Sequence, residues 1–143
     1  MQAVADALNN AIALTQARLK LAEEDAKAPI RPGGWSRKQV IGHLIDSASN
    51  NHQRFVRLML EDGLSLPGYL QDGWVTSQRY NERPWLELLL LWSAYNRHLA
   101  SIIANVPQSA LSHKCSIAGN APVTLEFLMR DYLDHLEHHL ESL

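Results

Sequence analysis

Two histidines four residues apart, His135 and His139 in Asp134-His135-Leu136-Glu137-His138-His139, carry the strongest chemical signal of this sequence. On a helix, residues at i and i+4 share a face about one turn apart, so the two imidazoles can converge on one cation while His138 points elsewhere. A third candidate, His43, belongs to a stripe that also holds Asp46, Ser47, Asn50 and Arg54 at helical spacing. That stripe reads either as a pocket wall or as the wet side of its helix, and periodicity does not choose between the two. Three neutral imidazoles suit Zn²⁺, with Ni²⁺, Cu²⁺ and Fe²⁺ as further candidates, and three protein ligands leave positions for water or substrate. An ion so held lowers the pKa of a bound water toward neutrality and makes it a hydroxide nucleophile, or activates a thiol as a thiolate in the same way. Asp46, three residues beyond His43, and Asp131, four before His135, are placed to orient ligands or to accept a proton.

Positioning these side chains is the task of four segments of helical periodicity separated by Pro- and Gly-rich stretches. The first, about Gln2 to Asp25, puts Val4, Leu8, Ala11, Ile12, Thr15, Leu19 and Ala22 on one face. The second opens on Ser36 followed by Gln39, a capping-box pattern, and runs to about Glu61. Asp72 to Tyr80 reads as a short extra turn over one end. Pro84 suits the first turn of a third helix reaching about Val106, and Thr124 caps a fourth. The His135–His139 pair falls within or at the margin of that fourth helix's apolar stripe, so it aims at least partly inward. No sustained strand alternation is present. The expectation is an all-α, antiparallel four-helix bundle.

A chain of 143 residues, 46% hydrophobic and 20% charged, fits one globular domain spanning residues 1–143. A net charge of -2 supplies no broad basic field, which argues against nucleic acid as a partner. The single cysteine, Cys115, reads as an ordinary loop thiol, and the absence of a cysteine pair suits a reducing cytoplasm. Met1 to Lys20 lacks the pattern of a secretory leader, and the longest apolar run, Leu88 to Trp92, is too short to cross a bilayer. No membrane partner is expected. Trp35, Trp74, Trp85 and Trp92 read as packing, Arg54 as paired or solvated with a hold on an anionic substrate group as the alternative, and His52, His98 and His113 receive no role.

Gly34-Trp35-Ser36, Gly42-His43-Leu44-Ile45-Asp46-Ser47, Asn50-Asn51-His52-Gln53-Arg54-Phe55, Asp72-Gly73-Trp74-Val75 and His135-x-x-His138-His139 occur in an order and spacing similar to the DinB/YfiT-like superfamily of metal-dependent enzymes. The resemblance covers most of the chain from Gly34 onward. It implies a four-helix bundle, homodimerisation, and a metal held by one histidine of the second helix and two of the last; matched by position, these are His43, His135 and His139. Members have been called metal-dependent hydrolases, and some similar proteins join low-molecular-weight thiols to electrophiles. The resulting expectation is a cytoplasmic, homodimeric enzyme with Zn²⁺ or Ni²⁺, a small-molecule substrate such as a low-molecular-weight thiol, and Asp46 as base or ligand-orienting group. The competing expectation is a non-catalytic dimeric helical module with a structural metal or none.

Overall fold

Ser36 begins the helix on which the candidate site depends. Its Oγ accepts from the Gln39 backbone N–H at 3.2 Å, and Gln39 Oε1 accepts from the Ser36 N–H at 3.0 Å, so two donors of the first turn are satisfied reciprocally. The computed structural model, which describes residues 1–143, places this helix, α3 (Arg37–Leu60), among three other long ones: α1 (Gln2–Arg18), α5 (Trp85–Ala104) and α6 (Leu125–Glu141). Thr124 caps α6, its Oγ1 accepting from the Phe127 N–H at 3.1 Å.

The four long helices pack α1 on α5, α3 on α5 and α6, and α1 on α6. Leu8, Ile12, Phe55, Trp92, Leu99 and Leu136 are among the fully buried side chains of a continuous core of 30 residues. Helices α3 and α6 run antiparallel: Arg37 at the start of α3 donates to the Leu143 carbonyl, while His113, just ahead of α6, donates through Nδ1 to the carbonyl of Leu58 near the end of α3. The bundle expected from periodicity is therefore the observed one.

Two departures have local causes. Helix α1 stops at Arg18 instead of continuing to Asp25, and residues Glu23–Lys27 form a separate short helix, α2. The Glu23 carboxylate pairs with the buried Lys38 and accepts from the Trp85 N–H at 2.9 Å, ties to α3 and α5 that hold this segment off the α1 axis. A small sheet was also not anticipated: β1 (Leu64–Leu66) pairs parallel with β2 (Lys114–Ile117), which pairs antiparallel with β3 (Val123–Thr124). Strands of two to four residues are too short to display an alternating pattern. Cys115 lies in β2 and is buried, not in a polar loop, and burial pushes its thiol pKa up.

The segment over the bundle is a true helix, α4 (Gln71–Gln78). It ends because Arg79 takes a left-handed conformation with φ 52°, a turn that starts a 3-10 segment at Tyr80–Glu82 and leaves Tyr80 buried against α3. No helix is long and apolar enough to cross a membrane.

Candidate metal centre

The antiparallel packing of α3 and α6 brings the first half of one against the last half of the other, and with it residues about ninety apart in sequence. One side-chain nitrogen from each of His43, His135 and His139 lies within 4.8 Å of the others. His43 Nε2 and His135 Nε2 are 3.2 Å apart. The three rings meet edge to face, with centroids separated by 5.2, 4.7 and 4.6 Å. His43 is fully buried and the two α6 histidines are half-buried. The α3 polar stripe is thus an interior wall at this level, because α6 covers it. His138 is exposed and stands outside the group, as its helical phase requires.

Burial keeps these imidazoles neutral. It pushes the His43 pKa down to about 4, with the neighbouring His139 and His135 adding to the effect. His139 is likewise pushed down to about 4 by burial and by His135 and His138, and His135 is lowered by burial and His138. Neutral imidazole is the form that ligates a metal. His43 Nδ1 is buried with no hydrogen-bond partner, and no carboxylate or thiol joins the three nitrogens. An all-nitrogen set of neutral donors, two of them Nε2 atoms 3.2 Å apart, fits a borderline divalent cation such as Zn²⁺ or Ni²⁺ better than Mg²⁺ or Ca²⁺, which take oxygen.

Asp46 is buried one turn along α3 from His43. Its Oδ1 accepts from Tyr80 Oη–H at 2.6 Å and from Gln78 Nε2 at 2.6 Å, while Oδ2 is buried without a partner. Burial raises its pKa, and the two hydrogen bonds partly oppose that rise. Tyr80 and Gln78 carry no sequence signal for this role; they reach Asp46 only because α4 and the Arg79 turn fold over α3. Gly42 is part of the same arrangement, since any Cβ there would collide with carbons of the Tyr80 ring. Burial and Asp46 in turn push the Tyr80 phenol well above its usual range.

Other candidates fall elsewhere. Asp131 is exposed and makes no hydrogen bond to His135; it lies along α6 toward Arg54, so the orienting role expected of it is not seen. Trp35, read as packing, stands beside the site: its ring lies 5.3 Å from that of His43, and with Ile30, Val40, His138 and His139 it lines a cleft of about 660 Å³. The cleft therefore reaches a member of the histidine group from the loop ahead of α3. His52 Nδ1 sits 3.1 Å from Tyr95 Oη with His98 alongside, and neither these nor His113 joins the group.

A four-helix bundle with three histidines drawn from two of its helices defines a recognisable class, and the chain belongs to the DinB superfamily, whose family model matches residues 7–143. It is similar to proteins named "Putative metal-dependent hydrolase" from Bacillus cereus (strain B4264) and Bacillus anthracis (strain A0248), at 33% identity over 61 residues. That match covers 43% of this chain and 35% of each relative, so it spans about a third of their length. Among solved structures, YfiT from Bacillus subtilis, described as "a probable metal-dependent hydrolase with an unusual four-helix bundle topology", superimposes with a TM-score of 0.87. The superposition covers 97% of this chain and 81% of that one at 20% identity, and it shows a common fold.

Proposed function

We propose that this protein is a metal-dependent enzyme in which His43, His135 and His139 hold a divalent cation, Zn²⁺ or Ni²⁺, and Asp46 receives the proton of the nucleophile. The convergence of three neutral imidazoles from two helices beside a cleft carries this reading. Only three side chains converge, the pattern of an open centre as opposed to a closed structural one, and this favours an enzyme over a binding module with a structural metal.

When bound, such an ion supplies Lewis acidity and lowers the pKa of an oxygen or sulfur nucleophile. The protein's own part is positional and protolytic. Tyr80 and Gln78 fix Oδ1 of Asp46 and so leave Oδ2 as the oxygen free to take a proton. Burial raises the carboxylate's basicity, and a stronger base removes a proton more readily near neutral pH. Ile30, Trp35 and Val40 give the cleft an apolar wall for the uncharged part of a small substrate. The same set serves two reactions, hydrolysis with water as nucleophile and transfer of a low-molecular-weight thiol to an electrophile.

A screen of Zn²⁺- and Ni²⁺-loaded protein against amides, esters and thiol-plus-electrophile pairs, with His43→Ala as control, tests the proposal. Turnover that disappears in the variant is the expected result. Identical behaviour of the two proteins across the panel, or full metal content in the variant, overturns it.

A further inference from the structure

The polar face of α3 does not end at the histidine group. At about 100° per residue, His43, Asp46, Asn50, Arg54 and Arg57 fall within a band about 80° wide on that helix. Asn50, Gln53, Arg54 and Arg57, together with Leu66 and Pro67 of the β1 segment, line a partly open pocket of about 360 Å³ in which Gln53 and Arg57 are exposed. Its lining contains two guanidinium groups and two carboxamides and no carboxylate.

Neither arginine has an ionic partner. The ion pairs of the chain engage Lys38, Arg79, Arg83 and Arg130 instead. Arg54 Nη1 donates to Asn51 Oδ1 at 3.3 Å and Arg57 Nε to Gln53 Oε1 at 3.4 Å, long contacts that use a small part of the five donors each guanidinium carries. Arg54 is half-buried, and desolvation pushes its pKa below the usual guanidinium value; Tyr69, Cys115 and Asp131 act on it through space without an ion pair. A desolvated, unpaired cation costs stability until an anion meets it. Tyr69 lies between this pocket and the site already described, within the fields of both Asp46 and Arg54.

We propose that Arg54 and Arg57, with Asn50 and Gln53, form an oxyanion pocket that holds the carboxylate or phosphate end of the molecule whose other end reaches the His43–His135–His139 group. The link to the histidines rests on the metal-site reading above; the pocket itself does not. With a rise of about 1.5 Å per residue, Asn50 lies about 10 Å, Arg54 about 16 Å and Arg57 about 21 Å along α3 from His43. The substrate class is accordingly an anionic molecule with its charge about that far from its reacting group, and not a minimal ester or amide. Planar guanidinium pairs suit both oxyanions through parallel N–H···O bonds.

Titration of inorganic phosphate and of succinate into metal-free protein, followed by calorimetry, tests the pocket. Saturable binding of either anion is expected, weakened about tenfold or more in Arg54→Gln/Arg57→Gln and unchanged in His43→Ala. Arg54→Lys/Arg57→Lys, which keeps the charge, restores part of it and separates loss of the pocket from loss of fold, which circular dichroism monitors. No saturable binding of either anion, or equal binding by the glutamine variant, overturns the pocket. In Co²⁺-loaded protein, paramagnetic relaxation of the ³¹P signal of phosphate is expected to place phosphorus about 10–21 Å from the metal. Phosphate coordinated directly to the ion, or beyond the reach of its relaxation, overturns the link to the histidines. Failure of Co²⁺ to bind defeats the metal reading and with it that link, while the metal-free titration still decides the pocket.

Discussion

The Tyr80 ring occupies the space into which a Cβ at position 42 would project, so Gly42, the residue before His43, is what allows Tyr80 to reach Asp46. An aromatic ring cannot yield as a flexible side chain does. Gly42→Ala must therefore displace Tyr80 or bend α3. We expect a loss of about 1–3 kcal/mol in denaturant unfolding, although alanine is the better helix former. A stability equal to or above that of the parent protein would show that the ring moves aside at no cost.

Tyr80→Phe removes the hydroxyl and leaves the ring in place. The hydrogen bond from Tyr80 lowers the Asp46 pKa, so its loss raises that pKa further. If Asp46 acts as a base, the acid limb of the activity profile shifts to higher pH in this variant. An unmoved limb assigns the limb to another group.

Asp46→Asn keeps an oxygen for Tyr80 and Gln78 but cannot take a proton. The expected result is a rate reduced by about 10²–10⁴-fold with metal content and helical signal retained. Unchanged turnover removes Asp46 from the chemistry.

Alanine replacement of His43, His135 or His139 should each abolish stoichiometric metal, measured by elemental analysis after dialysis. His138→Ala is the internal control, since that side chain is exposed and outside the group. Equal loss in His138→Ala would mean that a different pair of histidines holds the ion.

The depressed histidines also contribute to the pH dependence of the metal-free fold. Their folded pKa values, about 4 for His43 and His139, lie below the ordinary 6.5, so the unfolded chain binds more protons than the folded one between those values. Stability from these groups is then complete above about pH 6.5 and falls as pH drops toward 4. Thermal melts of metal-free protein across that range should show the decline, and His43→Ala should flatten it.

What the sequence made legible was whatever is local. The Ser36–Gln39 capping box and the Thr124 cap are readable because both partners lie within three residues, and the His135–His139 pair because one helical turn separates its members. The end of α1 was not readable, because the groups that pull Glu23 away, Lys38 and the Trp85 N–H, are 15 and 62 residues distant. The same reason hid Gln78 and Tyr80, which meet Asp46 from 32 and 34 residues away after a left-handed turn at Arg79. His43 lay between these cases. Its helix and phase were clear, but whether its stripe was wet or interior depended on α6 lying over it. From the sequence Trp35 reads as packing, and its position on the cleft wall likewise follows from contacts between helices.

The three imidazoles pack against one another, and the hydrophobic core of 30 residues closes without them. If the three histidines hold an ion, its uptake is then a second-order event on a finished fold, its rate proportional to the concentration of free ion and independent of any folding step. A chelator should strip the ion and leave a chain that recharges within the mixing time of fresh metal, in contrast to small zinc domains, where removal of the ion unfolds the chain. Occupancy would then follow the supply of metal from moment to moment, and the protein's working state would report that supply.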